Sequence, residues 1–390
     1  MKKQVLVWLC GLLSMFALTG CWDRREINDV GFVIVSALDV GKKPDTYLST
    51  VRIAIPKMMG GGQTGSSGGQ QGPPYMTISA ENRSLDKNRI DLEKQMSRDM
   101  LTSHRRVLVF GEKIAKRGLK DVLDEFSRNP QNRLRTLLVI IKGMQAEEFL
   151  KQPYTLEPFP SEALREMLNR RMEIPTTLRD LFVQATLPGR DPILAAFSIA
   201  KGEQPRFMLN HIAVFREFKL VGYLEGNEMM LLNSILGKNV YGLMRIGIPE
   251  VPGKVSVQVR EIKTKKEVKK KGDQLTFSFT AKAIGSITET DSPVDLSNPL
   301  YIEKYNKAFA KELEKEYVKL FEKLQKTYKA DSAGLGNMLY RKDPAYWKKV
   351  EKKWPEMYPK QKVTWRVESV IRDIGATGAP MQLPEKEVKK

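Results

Sequence analysis

The stretch Arg105–Asn129, RRVLVFGEKIAKRGLKDVLDEFSRN, with LRTLLVIIKG close behind at Leu134–Gly143, decides the fold. RRVLVFG is a short β-branched apolar run, and the residues from Glu112 to Asn129 carry apolar positions at helical spacing. LRTLLVIIKG is a second apolar run, and MQAEEFLK from Met144 opens another helix. Strands alternating with helices of this length predict a mixed sheet with helices packed on it. The fold class expected is α+β (mixed α/β) and multidomain, with mixed or antiparallel sheets.

Toward the N-terminus, INDVGFVIVSALDV from Ile27 and TYLSTVRIAI at Thr46–Ile55 read as strands turning at Gly41-Lys42-Lys43-Pro44, and YMTISAEN from Tyr75 reads as a third. Between them the Gly/Ser/Gln tract 58–74, MMGGGQTGSSGGQQGPP, has nothing to bury and is expected to be a disordered loop. Ser84 reads as the N-cap of a helix with an imperfect apolar face.

Toward the C-terminus, the Pro-rich passage 153–160 leads into the helix SEALREMLNRRME, and Pro175, Pro188, Pro192 and Pro205 punctuate a region where patterning weakens, predicting a domain boundary near residue 200. HIAVFREFKLVGYL then reads as a strand pair turning at Arg216–Lys219, and GNEMMLLNSILG as a helix. KVSVQVREIK and DQLTFSFTAKAIGS read as strands flanking a lysine-rich turn, KTKKEVKKKG. Ile302, Tyr305, Phe309, Leu313, Tyr317, Leu320, Leu324 and Tyr328 recur at steps of three and four, predicting a long amphipathic helix between Pro299 and Gly334. KVTWRVESVIRDIG, 362–375, reads as a last strand. The expected organisation is a leader at 1–20, an N-terminal α/β domain at 21–200, a C-terminal α+β region at 201–375 open to division into two subdomains, and a disordered tail at 376–390.

The leader has the layout of a secretory signal: Lys2 and Lys3, an apolar stretch Val5–Leu18, then small residues. The stretch is short for a bilayer span, which needs about 20 apolar residues. Leu18-Thr19-Gly20-Cys21 resembles the lipobox of bacterial lipoproteins, which implies diacylglycerol on the Cys21 thiol and cleavage just before it. An uncleaved transmembrane anchor is the alternative. Cys10 lies inside the leader, so the mature chain has no cysteine pair to oxidise.

The formal net charge is +19, or +17 without Lys2 and Lys3, which draws the chain to polyanions. For an exported, anchored protein these are anionic headgroups and cell-wall polymers; no nucleic-acid reading module is present. The densest cluster, Lys263, Lys265, Lys266, Lys269, Lys270 and Lys271, is the candidate contact to an anionic surface, against the plainer reading of a solvated loop tip.

No catalytic, metal or cofactor residues emerge. Gly60-x-Gly62-x-x-Gly65 and Gly65-x-Ser67-x-Gly69 match a dinucleotide fingerprint and a nucleophile elbow, but Gln70–Pro74 cannot start the helix that either needs. His104 and His211 lack the spacing of a zinc site and read as packed or hydrogen-bonded imidazoles. Asp121, Asp124 and Glu125 read as a solvated helix face.

Cys21-Trp22-Asp23-Arg24-Arg25-Glu26-Ile27, with the apolar strand and Asp39 after it, resembles the mature N-terminus of the Ger(x)C family, the C-subunit lipoproteins of bacterial spore germinant receptors. HRRVLVFGEKIAKRGLKDVLDEFSRN resembles its central strand-helix stretch, although Asn129 stands where many members have aspartate. ADSAGLGNMLYRKDPAYWKKVEKKWPEMYP resembles its C-terminal D-x-x-G-x-G passage, carried here by Asp331, Gly334, Gly336, Trp347 and Trp354. The resemblance implies a non-enzymatic subunit lipid-anchored at the outer face of the spore inner membrane, partnered by polytopic A and B subunits, with three α/β domains. It leaves open whether this subunit touches the germinant. Trp22, Asp23, Arg24, Arg25 and Glu26, nearest the anchor, are the candidate contact to those partners. Two other classes fit an anchored basic chain: a solute-binding lipoprotein of a transporter and an anchored cell-wall hydrolase.

Overall fold

The computed structural model describes residues 4, 8, 26, 29–55, 74–152, 154, 157, 159–171, 174, 176–200, 202, 206–272, 274–379, 384 and 389. The lipobox Leu18–Cys21, the partner segment Trp22–Arg25 and nearly all of the Gly/Ser tract lie outside them; Glu26 is described and exposed.

The first sheet begins with β1 (Val30–Val40), β2 (Tyr47–Ala54) and β3 (Tyr75–Asn82), an antiparallel meander. α1 (Leu85–Glu93) follows, with Ser84 Oγ accepting the Lys87 N–H as an N-cap. A short β4 (Asp99–Leu101) runs parallel to the start of β1. β5 (Val107–Gly111) then lies parallel to β1, with Val35 opposite Val107.

The continuous helix expected from Glu112 is two helices, α2 (Glu112–Arg117) and α3 (Lys120–Arg128). They break at Gly118, whose φ of +126° lies outside helical space and is open to glycine alone at little cost. β6 (Leu137–Ile141), α4 (Ala146–Lys151) and α5 (Pro160–Arg171) follow, and β6 pairs parallel to β5.

Two elements went unread in the proline-punctuated region. α6 (Leu178–Thr186) starts at a reciprocal capping box between Thr177 and Asp180, and β7 (Ile193–Ala200) is parallel to β6. β8 (Arg206–Arg216) and β9 (Lys219–Glu225) then extend the same sheet antiparallel, with Ala200 paired to Arg206. Hydrogen bonding therefore carries the first sheet through residue 200 to Glu225.

The strand order is β3-β2-β1-β5-β6-β7-β8-β9, with β4 beside β1. The central strands are buried on both faces, which is why they read as unbroken apolar runs. On one face Leu38, Leu108, Phe110 and Ile140 pack with α2, α3 and α6; on the other Val35, Val107, Val109 and Val139 pack with α4 and α5.

α7 (Asn227–Ile235) leads to a second, four-stranded sheet: β10 (Gly242–Ile246), β11 (Val255–Lys271), β12 (Gln274–Thr290) and β13 (Lys362–Asp373). α8 (Pro299–Glu322), with Asn298 as N-cap and Pro299 in its first turn, crosses this sheet and buries Tyr305, Phe309, Leu313, Tyr317 and Leu320. Trp365 of β13 lies face to face with Tyr317, ring centroids 3.8 Å apart, and stacks on Phe279 at 4.7 Å. Such stacks add about 0.5–1.5 kcal/mol each beyond the area they bury.

The helix loosens into a π turn at Lys323–Tyr328 and stops at Lys329, which is left-handed. α9 (Leu335–Lys342), α10 (Pro344–Val350) and α11 (Trp354–Met357) close the chain onto the sheet before β13. The tail expected to be disordered has bonded points among its described residues: Leu296 N–H donates to the Gly378 carbonyl, and Lys389 bridges Val294.

Candidate functional site

The six lysines singled out in the sequence are not on a turn. They lie on the second half of β11, and the chain reverses only at Gly272, which has φ +61°. β11 alternates like any strand, so Ile262 and Val268 face the core on the side of Lys266 and Lys270, while Lys263, Lys265, Lys269 and Lys271 project from the other face. Their charges are partly matched: Lys263 meets Glu261 at 2.9 Å and Lys269 meets Glu267 at 3.6 Å. Lys270 meets Asp343 at 3.5 Å and lies 3.6 Å from the centre of the Tyr346 ring. Lys266 shares a groove of about 580 Å³ with Arg190, Asn337 and Arg341. Desolvation against the groove wall, and then Arg190 and Arg341 beside it, holds the ammonium pKa of the exposed Lys266 below the usual lysine range.

That groove borders a junction between the two sheets which centres on Asp331. The Asp331 carboxylate is 2 % exposed and accepts the N–H groups of Gly334, Leu335 and Gly336, each at 2.8 Å, and the Trp354 indole N–H at 3.0 Å. The left-handed Gly334, φ +79°, curls the backbone so that these donors converge at the start of α9. Asp331 N–H in turn donates to Asp191 Oδ2 at 2.7 Å, and Asp191 N–H donates back to the Asp331 carbonyl at 3.1 Å. Asp191 lies in the loop two residues before β7 of the first sheet, so the two aspartates tie segments 140 residues apart.

The close approach needs glycine on both sides. A Cβ on Gly336 would sit 2.7 Å from Gly189 Cα, and Gly189 itself has φ +62°. Burial is the largest influence on Asp331 and raises its pKa to about 7 against the opposing N–H groups of Gly336 and Leu335. Asp191 is raised in the same way.

The π turn adds a second tie. Tyr328 Oη donates to the Tyr223 carbonyl of β9 at 2.8 Å and accepts the Tyr223 N–H at 3.1 Å. Gly222 leaves room for that ring, since a Cβ there would lie 2.3 Å from it. Asp331, Gly334, Gly336, Trp347 and Trp354 were legible as a motif, but their partners Gly189, Arg190 and Asp191 were not. The only local hint was the Pro188–Pro192 bracket around an otherwise unpatterned loop.

The histidines stay apart from this junction. His104 packs edge-on against Phe32, centroids 5.1 Å apart. His211 is buried on β8, its Nε2 2.8 Å from Lys142 Nζ and 3.1 Å from Glu225. Desolvation, and then Lys142, holds its pKa below the usual value. Among the described residues no group of three His, Cys, Asp or Glu side chains is placed to hold a metal, and no helix is long and apolar enough to cross a membrane. Glu125, expected on a solvated face, is half-buried beside α1.

Two adjoining family descriptions match the chain: a spore germination protein N-terminal domain at residues 23–199, and a spore germination B3/GerAC-like C-terminal domain at 210–375. The chain belongs to the Ger(x)C family. YfkR of Bacillus subtilis (strain 168) is 30 % identical over 371 residues, covering 93 % of this chain and 95 % of the relative. Spore germination protein KC of the same organism is 26 % identical, with 98 % of each chain covered. The crystal structure of the GerBC protein superposes with a TM-score of 0.58 at 19 % identity, over 90 % of this chain and all of that one, and shares the α+β fold. The junction at Asp331 lies where the Ger(x)C C-terminal domain meets the end of the N-terminal one.

Proposed function

We propose that this Ger(x)C chain is the membrane-tethered C subunit of a spore nutrient-germinant receptor, required for the receptor to assemble or signal. Cys21 carries the diacylglyceryl anchor, and the polytopic A and B subunits are its partners at the outer face of the spore inner membrane. The observation that carries this reading is the placement of Leu18-Thr19-Gly20-Cys21, which ends two residues before the first family match begins at residue 23. An apolar leader, a lipidated cysteine and a water-exposed body then follow in the order that tethering needs.

Two acyl chains hold a protein stably at a bilayer where one holds it marginally. Tethering raises the local concentration at membrane partners without any new contact. Trp22–Glu26, next to the anchor, is the segment that reaches those partners, and the lysine-bearing half of β11 faces anionic headgroups. The body contributes no catalysis in this reading; it is a rigid spacer and adaptor whose two sheets are locked at Asp331.

The test is Cys21→Ala in the full chain. It should release the protein from the membrane fraction and depress nutrient-triggered germination, while the circular dichroism spectrum stays that of the unaltered protein. A Cys21→Ala chain that remains membrane-bound, in spores that germinate normally, overturns the reading.

A further inference from the structure

Arg105 stands two residues before β5 begins, in the stretch that fixes the first sheet, and is 6 % exposed. Its Nη2–H donates to Asn132 Oδ1 at 2.5 Å and its Nη1–H to Ser36 Oγ at 3.4 Å, and its guanidinium lies 4.8 Å from the centre of the Phe126 ring. Its Nε is buried with no hydrogen-bond partner. Among the described residues no carboxylate forms an ion pair with it; the charge acting on it is that of Glu125. Burying a guanidinium with no carboxylate in contact and without a full set of acceptors is costly, and a bidentate carboxylate is the group that its planar fork fits best.

The space for such a group is present. Arg105, Glu125 and Asn129 line a cavity of about 70 Å³ between the β1–β2 face and helices α1 and α3, with Val51, Leu92 and Met100 among its apolar walls. A cavity of roughly 150 Å³ admits benzene, with its six heavy atoms, so about half that volume seats the three heavy atoms of a carboxylate group, and the rest of the occupant lies at the cavity's open side. Burial lowers the Arg105 pKa to about 10, so the group stays charged at neutral pH. Glu125, whose pKa burial raises against the pull of Arg105, places a second carboxyl on the same wall.

We propose that this cavity is a binding site for a small carboxylate of acetate to glycine size. The carboxylate oxygens take the Nη–H groups of Arg105 that Ser36 and Asn132 leave open, and Glu125 receives an ammonium group where the molecule carries one. The site lies wholly within the first sheet and its helices, and it does not depend on how the chain is tethered.

Saturation-transfer NMR on the full chain in detergent, with acetate and glycine as probes, tests it. Saturable binding in about the millimolar range is expected for both, glycine being the tighter. Asn132→Asp places a built-in carboxylate at the atom Arg105 already touches and should weaken both probes at least about tenfold, as a competing counter-ion. Val51→Ile, which pushes one methylene into the cavity without touching a charge, should weaken both as well. Glu125→Gln should remove the preference for glycine and leave acetate unchanged. Binding that does not saturate, or that is equal in Asn132→Asp, Val51→Ile and the unaltered chain, shows only diffuse attraction to a basic surface and overturns the proposal. Equal binding of both probes that Glu125→Gln does not alter overturns the role of Glu125.

Discussion

Asp39 and Asp331 each bury a carboxylate against the start of a helix, one inside the first sheet's own layer and the other between the two sheets. Asp39, at the end of β1, accepts the N–H groups of Ala146 and Glu147 at 2.8 and 2.9 Å, which caps α4 and fixes it to the sheet. Asp331 takes twice as many donors, three from one glycine-rich curl and one from Trp354, and its backbone binds Asp191 across the junction. The difference is one of reach. A buried carboxylate with two local donors anchors one element, whereas four donors and a reciprocal backbone pair can join two bodies.

The largest test of that contrast is alanine at each position. Asp331→Ala leaves four buried donors without an acceptor and should cost about 4 kcal/mol or more, since each orphaned donor costs about 1–3 kcal/mol before relaxation. Asp39→Ala orphans two and should cost about 2–3 kcal/mol. Trp347, Trp354 and Trp365 report from the second sheet and its helices, so, in a chain lacking the leader with Trp8 and carrying Trp22→Phe, indole fluorescence and far-ultraviolet circular dichroism can be compared during urea unfolding. In Asp331→Ala the two transitions should separate, because the sheets have lost their tie; in Asp39→Ala they should move together. Coincident transitions in Asp331→Ala would show that the sheets are joined mainly elsewhere, with Tyr328 the next candidate.

A smaller effect comes from the glycines. Gly336→Ala puts a Cβ against the Gly189 backbone and should cost about 1–3 kcal/mol, as overpacking does. Gly143→Ala is the control: φ is +83° there but nothing lies within 4 Å, so only the backbone strain of about 1–2 kcal/mol remains. If thermal unfolding shows both variants equally shifted, the junction has room to give.

The two aspartates also differ in the pH window they control. Asp39 has its pKa raised to about 6, by burial first and then by Glu147 and Glu148, and Asp331 has its raised to about 7. A carboxyl raised above its unfolded value of 3.8 contributes stability that is fully present below that value and lost as pH rises through the folded pKa. These carboxyls should therefore make stability, measured by urea unfolding, decline between about pH 4 and 7, against a rise toward pH 6.5 from His211, whose pKa is held down; the decline above pH 6 should belong to the junction, Asp331 with Asp191 beside it. Asp39→Asn should flatten the lower part of that curve and leave the upper part; a curve unchanged by Asp39→Asn would assign the whole slope to the junction.

How much of this was readable varied with where the partners lie. The β5–α2–α3–β6 passage and α8 were plain because a strand's run and a helix's stripe are local patterns. α6 and β7 were hidden by four prolines, although Thr177–Asp180 is a capping box and ILAAF, 193–197, is the unbroken apolar run of a central strand. β11 was cut short because its outward residues are lysines; Ile262 and Val268 kept the two-residue period beneath the charge. The motif at Asp331 was visible, but Asp191 meets it only because the fold brings 140 residues together, and no local spacing encodes that.

The same misreading of β11 supplies the smallest and most selective prediction. Six lysines on a loop tip would act as one cloud of charge, whereas six on a strand divide into an outer row, Lys263, Lys265, Lys269 and Lys271, and an inner pair, Lys266 and Lys270, beside the junction. If the outer face meets anionic headgroups, exchanging its four lysines for glutamine should weaken binding of unlipidated chain to anionic vesicles by up to about 1 kcal/mol per residue, and more so at low salt. Exchanging Lys266 and Lys270 should leave that binding nearly unchanged. Neither set should move stability by more than about 0.5 kcal/mol per residue, since exposed ion pairs contribute little. Equal loss from both sets would mean that charge, not orientation, sets the attraction; no loss from the outer row would turn that face away from the membrane.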